Sequence, residues 1–175
     1  MDESRRVNMA NNELVSVIIP VFQESEILRP FLASVREALR SSGTSYELIL
    51  VDDGSADNTW PIILEEAQAS EAIRAFRLSR NFGKELALCA GLEKARGAAV
   101  IVMDGDGQHP AALLPELIRM WRTTGADVVQ AVKRTRGEES LSNKVGALLF
   151  YSILQKLSGF DFKGASDFKL MSRKA

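Results

Sequence analysis

The feature that most constrains this chain is a recurrence: short β-branched runs of strand length, each followed by a stretch with helical spacing. The runs fall at 15–20 (Val-Ser-Val-Ile-Ile-Pro), 46–51, 73–78, 98–102 and 126–132. Behind the first, Ile27, Phe31, Leu32, Val35 and Leu39 recur near the 3.6-residue period, so a helix is expected to open over 21–25 and to end at Gly43. Further helices are expected at 59–71, with Asp57 or Asn58 as cap and Pro61 in the first turn, at 85–96 before Gly97, and at 110–122. Runs that are apolar throughout read as strands buried on both faces, and their alternation with helices implies an α/β fold with a mainly parallel central sheet and right-handed crossovers. An amphipathic helix over 141–157 and a last strand start over 166–174 complete the reading.

Two of these runs end in acid. The fourth passes into Asp104-Gly105-Asp106-Gly107-Gln108-His109-Pro110, and the second into Asp52-Asp53-Gly54-Ser55. Ligands of open α/β sheets bind beyond the carboxyl ends of the strands, where these residues fall. Asp104 and Asp106 are close enough to share one hard cation; carboxylate and amide oxygens, with Gln108 as the amide, suit Mg²⁺ or Mn²⁺ better than zinc. Gly105 and Gly107 would give the backbone freedom for a tight bend. A plain polar turn is the alternative for the same residues. His109, the one histidine, reads as a structural cap before Pro110 rather than as a base.

At 175 residues the chain is expected to form one domain, a polar tail over 1–13 followed by a single unit over 14–175. A net charge of -1 leaves no global footprint for nucleic acid. The single cysteine, Cys89, excludes an internal disulfide and, among Ala87, Leu88 and Ala90, is expected in the core. Residues 1–13 lack the apolar stretch of a secretory signal, and the longest apolar run, 145–154, is about half of what a membrane helix needs, so a cytoplasmic site of action is expected. No Gly-x-Gly-x-x-Gly follows the first strand. Around Gly83-Lys84 the first P-loop glycine is Leu78 and the Ser/Thr position is Glu85, which argues against a dehydrogenase or a P-loop NTPase. Lys133, Arg134 and Arg136 follow the fifth run and can hold phosphate groups at the sheet edge or form a solvated charged loop.

Together, Val17-Ile18-Ile19-Pro20-Val21-Phe22-Gln23-Glu24, Val51-Asp52-Asp53-Gly54-Ser55-Ala56-Asp57, Asn81-Phe82-Gly83-Lys84 and Asp104-Gly105-Asp106-Gly107-Gln108-His109-Pro110 resemble the GT-A glycosyltransferases of family 2. More narrowly, 133–140 and 166–173 resemble the branch of dolichol-phosphate mannose synthase and the bactoprenol glucosyltransferases. The resemblance implies a GT-A, Rossmann-like nucleotide-diphospho-sugar transferase fold, and transfer of a hexose from a donor such as UDP-glucose or GDP-mannose to a polyprenyl phosphate, metal-assisted and with inversion. Pro20, Val21 and Glu24 would line the nucleoside pocket, Asp53 would hydrogen-bond the base or ribose, and Lys84 and Asp104 would serve the donor. Asp104, Asp106 and Gln108 would hold the Mg²⁺ or Mn²⁺, Asp106 and Asp167 would be the catalytic acids, and Lys133, Arg134 and Arg136 would gather the acceptor phosphate.

The residue between Asp106 and Gln108 is usually Leu in the family and is Gly107 here. Family members usually continue into C-terminal transmembrane helices, which this sequence is expected to lack, leaving a peripheral protein at the cytoplasmic membrane face, with a membrane partner or a homo-oligomer as further partners. A polysaccharide acceptor, or a non-catalytic nucleotide-binding module, is the alternative reading.

Overall fold

The computed structural model describes residues 13–107, 110–131 and 168–175. The expected roles of Gln108, His109, Lys133, Arg134, Arg136 and Asp167, and the expected helix over 141–157, lie outside the described residues.

The described residues form one six-stranded sheet. Its strands are β1 (Val15–Val21), β2 (Tyr46–Asp52), β3 (Ile73–Arg77), β4 (Ala99–Val102), β5 (Val128–Gln130) and β6 (Lys169–Ser172), in the spatial order β3-β2-β1-β4-β6-β5. β1 pairs in parallel with both β2 and β4, and β2 in parallel with β3. β6 runs antiparallel between β4 and β5. The helices are α1 (Leu28–Ser41), α2 (Thr59–Ala69), α3 (Lys84–Lys94) and α4 (Leu114–Thr124), the last preceded by a 3₁₀ turn at Ala111–Leu113. From β1 the chain winds outward through β2 to β3, then returns to place β4 on the other side of β1. The strand order therefore reverses between β1 and β4, and such a reversal opens a crevice at the carboxyl ends of the two strands.

The mainly parallel α/β architecture is the one expected from the apolar runs, and the pleat explains how they are used. In β1, Val17, Ile19 and Val21 join α1 and α4 in one core, through Leu28, Leu32, Val35, Leu114 and Trp121 among others. Ile18, with Ile49, Val51, Val100 and Val102, joins Ala87 and Leu88 of α3 in a second core on the opposite face. Alternate residues of one strand thus feed two layers, which is why the runs are mostly apolar, with Ser16 and Glu47 as buried polar exceptions.

Several boundaries differ from the sequence reading, each for a local reason. α1 begins at Leu28, because Val21 is the last residue of β1 and the N–H groups of Gln23, Glu24 and Ser25 are taken by the side chains of Ser55, Thr59 and Asp57 at 2.9, 2.9 and 3.3 Å. α2 stops at Ala69, short of 71. α3 ends at Lys94 because the Arg96 N–H donates to Glu47 Oε1 at 2.7 Å and the Gly97 N–H to Ser16 Oγ at 2.8 Å. β5 is three residues long within the expected 126–132. Cys89 is exposed, not in the core. Ala87 and Gly91 face the sheet, and a residue two positions from each lies about 200° away around the helix axis.

Candidate active site

The turn after β2 is the hub on which the site is assembled. Asp52, fully buried, accepts the Ser55 N–H on Oδ1 at 3.1 Å and pairs through Oδ2 with Arg77 Nε at 3.0 Å. Arg77 also donates to the Ser55 carbonyl at 2.8 Å and lies over the Trp60 ring, 5.6 Å from its centroid. The turn so fixed grips two neighbouring loops. On one side Ser55, Thr59 and Asp57 hold the backbone of Gln23–Ser25, where Gln23 adopts φ 56, a conformation that costs a non-glycine residue about 1 kcal/mol or more. On the other, Asp53, 3% exposed, accepts the Phe82 N–H at 2.8 Å and the Gly83 N–H at 2.9 Å. Asp53, expected to face a base or ribose, thus has each carboxylate oxygen engaged by backbone.

Asp104 and Asp106 follow β4 directly, at the reversal of strand order. Lys84, the first residue of α3, reaches across so that its Nζ lies 2.6 Å from Asp104 Oδ1. Glu24 comes near from the β1 side: burial raises its pKa above the ordinary carboxylate value, and the Asp106 and Asp57 charges raise it further. Burial pushes Asp57 up too, but hydrogen bonds from Thr59 and Ser25 outweigh it and hold its carboxyl down at about 2. Beside these residues an open cleft of about 580 Å³ is lined by Gln23, Glu24, Ser25, Glu26, Ile27, Ala56 and Asp57.

The structure therefore brings together Glu24, Lys84, Asp104 and Asp106 from three separate segments. Pro20 and Val21 are buried, Val21 at 2% exposure within the core. Gly107 has φ +73, the left-handed conformation expected of a tight bend; Gly105 is needed instead for room, since a Cβ there would sit 3.1 Å from the Pro20 carbonyl oxygen. Sequence reading missed Ser55, Thr59 and Arg77. The signal for Thr59 was present, as Asp57-x-Thr59 at a helix entrance supplies side chains able to bind foreign backbone N–H groups.

Among the described residues no group of three or more His, Cys, Asp and Glu side chains forms a ready metal cage. Asp104 and Asp106 still fit a hard divalent cation, because their donors are carboxylate oxygens and the charge of Asp106 is felt at Glu24.

Residues 16–175 match the family described as Glycosyl transferase family 2. The chain belongs to glycosyl transferase family 2. A prophage bactoprenol glucosyl transferase homolog of Escherichia coli K12 is 37% identical over 160 residues, covering 91% of this chain and 52% of that protein. An uncharacterized glycosyltransferase of Synechocystis sp. is 38% identical over 161 residues, 91% of this chain and 50% of its own. The chain spans about half the length of these curated relatives. Among solved structures, a mannosyltransferase from Pyrobaculum calidifontis in complex with GDP-Man and Mn²⁺ aligns with a TM-score of 0.65 at 20% identity, covering 93% of this chain and 45% of that one. Mannosyl-3-phosphoglycerate synthase from Rubrobacter xylanophilus aligns at 0.68 and 18% identity, covering 98% of this chain and 57% of that one. The fold is that of the GT-A transferases.

Proposed function

We propose that this family 2 domain transfers a hexose from a nucleotide-diphosphate sugar to a polyprenyl phosphate. The observation that carries the reading is the convergence of Lys84, Asp104, Asp106 and Glu24 at the strand-order reversal. In this reading the donor's nucleoside lies against the ends of β1 and β2, walled by Pro20, Val21 and Glu24 with Asp53 in the same turn, and its diphosphate meets Lys84. Asp104, Asp106 and Gln108 hold a Mg²⁺ or Mn²⁺, which when bound stabilises the charge that develops on the leaving diphosphate. Lys84 adds a second cation at the same place, as an ammonium that can follow the diphosphate oxygens. A lipid phosphate is already anionic near neutral pH, so the reaction asks little of a general base; Asp106 and Asp167 are the acids assigned to the reacting centre.

The polyprenyl phosphate acceptor is supported by similarity to relatives named bactoprenol glucosyl transferases. Lys133, Arg134 and Arg136 are assigned to its phosphate by their sequence position after β5, and inversion at the anomeric carbon follows the family resemblance. No helix among the described residues is long and apolar enough to cross a membrane. Work on such a lipid places the protein peripherally at the cytoplasmic face, beside a membrane partner or a second copy of itself.

The test incubates the protein with labelled UDP-glucose or GDP-mannose, Mn²⁺ and short polyprenyl phosphates, and follows label into the organic phase. Organic-extractable label that disappears with chelator supports the proposal. Nucleotide binding without label in any combination favours the non-catalytic module, and label in a polysaccharide favours the other acceptor.

A further inference from the structure

We infer that Lys169 binds the phosphate of the acceptor, from the side of the crevice opposite to Lys84; this rests on the acceptor reading above. Among the described residues Lys169 is the one buried lysine or arginine, 7% exposed. It is the first residue of β6, and because β6 runs antiparallel to β4 it lies at the carboxyl end of β4, the edge from which Asp104 and Asp106 emerge. Its register partners are Val102 on one side and Gln130, the last residue of β5, on the other.

The pleat fixes its direction. Phe168 and Leu170 belong to the core beneath α1 and α4, so Lys169 between them points to the opposite face of the sheet. Val102 and Met171 share that face with α3, the helix that brings Lys84 to 2.6 Å from Asp104 Oδ1. Asp104 is two residues past Val102, about 7 Å along the chain, and neighbouring strands stand about 5 Å apart, so the crevice is within reach of a four-carbon stem. The position decides the ligand. A donor seated against the ends of β1 and β2 lies on the side of Lys84, whereas β6 stands beyond β4, beside the end of β5 that leads into Lys133, Arg134 and Arg136. A phosphate approaching two carboxylates is repelled, and a cation held out of water offsets that repulsion more strongly than one on a solvated loop. Lysine is rarely buried away from anions, and the anion that the reaction brings to this end of β6 is the phosphomonoester of the acceptor. As its oxygen attacks, that phosphate loses charge, so the contact weakens toward the transition state and Lys169 governs acceptor binding more than turnover.

The experiment compares the whole wild-type chain with Lys169→Met, which keeps an apolar stem, and Lys169→Arg, which keeps the charge. Calorimetry with Mn²⁺ and UDP or GDP present measures binding of farnesyl phosphate, farnesol and inorganic phosphate. Lys169→Met is expected to weaken farnesyl phosphate at least about tenfold and to leave farnesol and the nucleotide within about twofold, with Lys169→Arg recovering most of the loss. In turnover, KM for the lipid phosphate is expected to rise by the same factor, with kcat and the donor KM changed less than about threefold. A lysine that only braces the sheet would lower Tm, nucleotide affinity and kcat together, and that pattern overturns the inference. Farnesyl phosphate bound equally by wild type and Lys169→Met overturns it too, while leaving the proposed function standing. Wild type that holds inorganic phosphate as tightly as farnesyl phosphate has a site for free phosphate, which also overturns it. Wild type that binds nucleotide but no farnesyl phosphate sinks the proposed acceptor and the inference with it. Where Lys169→Met folds poorly, Lys169→Gln takes its place, with the same losses expected.

Discussion

Lys84 Nζ stands 2.6 Å from Asp104 Oδ1, so the first residue of α3 is tied to the residue that leads out of β4. The two groups are 34% and 19% exposed, which keeps the pair's own contribution to stability under about 1 kcal/mol. Its value lies in holding a cation over the crevice where a diphosphate would arrive. Lys84→Met is expected to weaken UDP or GDP binding by about 10- to 100-fold, the range of a charge-assisted hydrogen bond, and to shift Tm little. Titration calorimetry beside a thermal melt reads both. Unchanged nucleotide affinity would remove Lys84 from the donor site.

Asp106 is expected to matter in a different way. Its charge raises the pKa of Glu24, so the two carboxylates repel one another across the crevice. Asp106→Asn takes away both that repulsion and one hard ligand. The expected outcome is a fall of at least about tenfold in Mn²⁺-dependent nucleotide affinity, no loss of fold stability, and a Glu24 pKa closer to its ordinary value. Calorimetry with and without Mn²⁺, and carboxylate titration by NMR, check the two halves separately. Equal donor affinity in both proteins with metal present would end the metal assignment.

What was legible in the sequence follows from which interactions are local. β1, β2 and β4 could be read because strands that feed two core layers are apolar at most positions, and α1 because Phe31, Leu32, Val35 and Leu39 mark one face. The place of β6 was not legible. A four-residue strand that slips antiparallel between β4 and β5 is chosen by partners distant in sequence, and nothing in Lys169–Ser172 announces them. Asp104 and Asp106 could be found because they end an apolar run. The hold of Asp53 on the loop before α3 could not, because its partners there are backbone N–H groups, which every non-proline residue possesses. Ser16 and Glu47 were hidden for the same reason: they stop α3 through the N–H groups of Arg96 and Gly97.

Glu47 should set the acid sensitivity of the fold. Burial pushes its pKa up, yet hydrogen bonds from Ser16, the Arg96 N–H and Arg74 overcome this and hold it below the ordinary value of 4.5. A carboxyl depressed in the folded state contributes stability that is fully present above its unfolded pKa and is lost as pH falls through the folded one. The domain is therefore expected to lose stability below about pH 4.5. Glu47→Gln should cost about 2–4 kcal/mol at pH 7, because Arg74 and two backbone donors lose a charged acceptor, and should flatten the acid limb. Urea denaturation at pH 7 and pH 4 reads both effects. A variant as acid-sensitive as wild type would mean that other carboxylates control the transition.

The last prediction separates two glycines with nearly the same backbone conformation. Gly54 has φ +74 and Gly107 has φ +73, so alanine at either bears the left-handed cost of about 1 kcal/mol. Their surroundings differ. A Cβ at Gly107 meets nothing within 4 Å, whereas a Cβ at Gly54 would lie 2.5 Å from the Arg80 carbonyl carbon, 2.7 Å from its Cα and 2.8 Å from the Asn81 nitrogen. These atoms are backbone and cannot rotate away, so the loop leading to Phe82, Gly83 and Lys84 has to move as a unit and strain its hydrogen bonds to Asp53. Gly54→Ala is expected to cost about 3 kcal/mol or more, roughly 6–12 °C in Tm for a domain of this size, and to weaken nucleoside diphosphate binding as well. Gly107→Ala should cost only about 1 kcal/mol, roughly 2–4 °C. Thermal melts of the two variants side by side decide it: equal shifts would show that backbone conformation alone sets the cost, and that the Arg80 loop does not bear on Gly54.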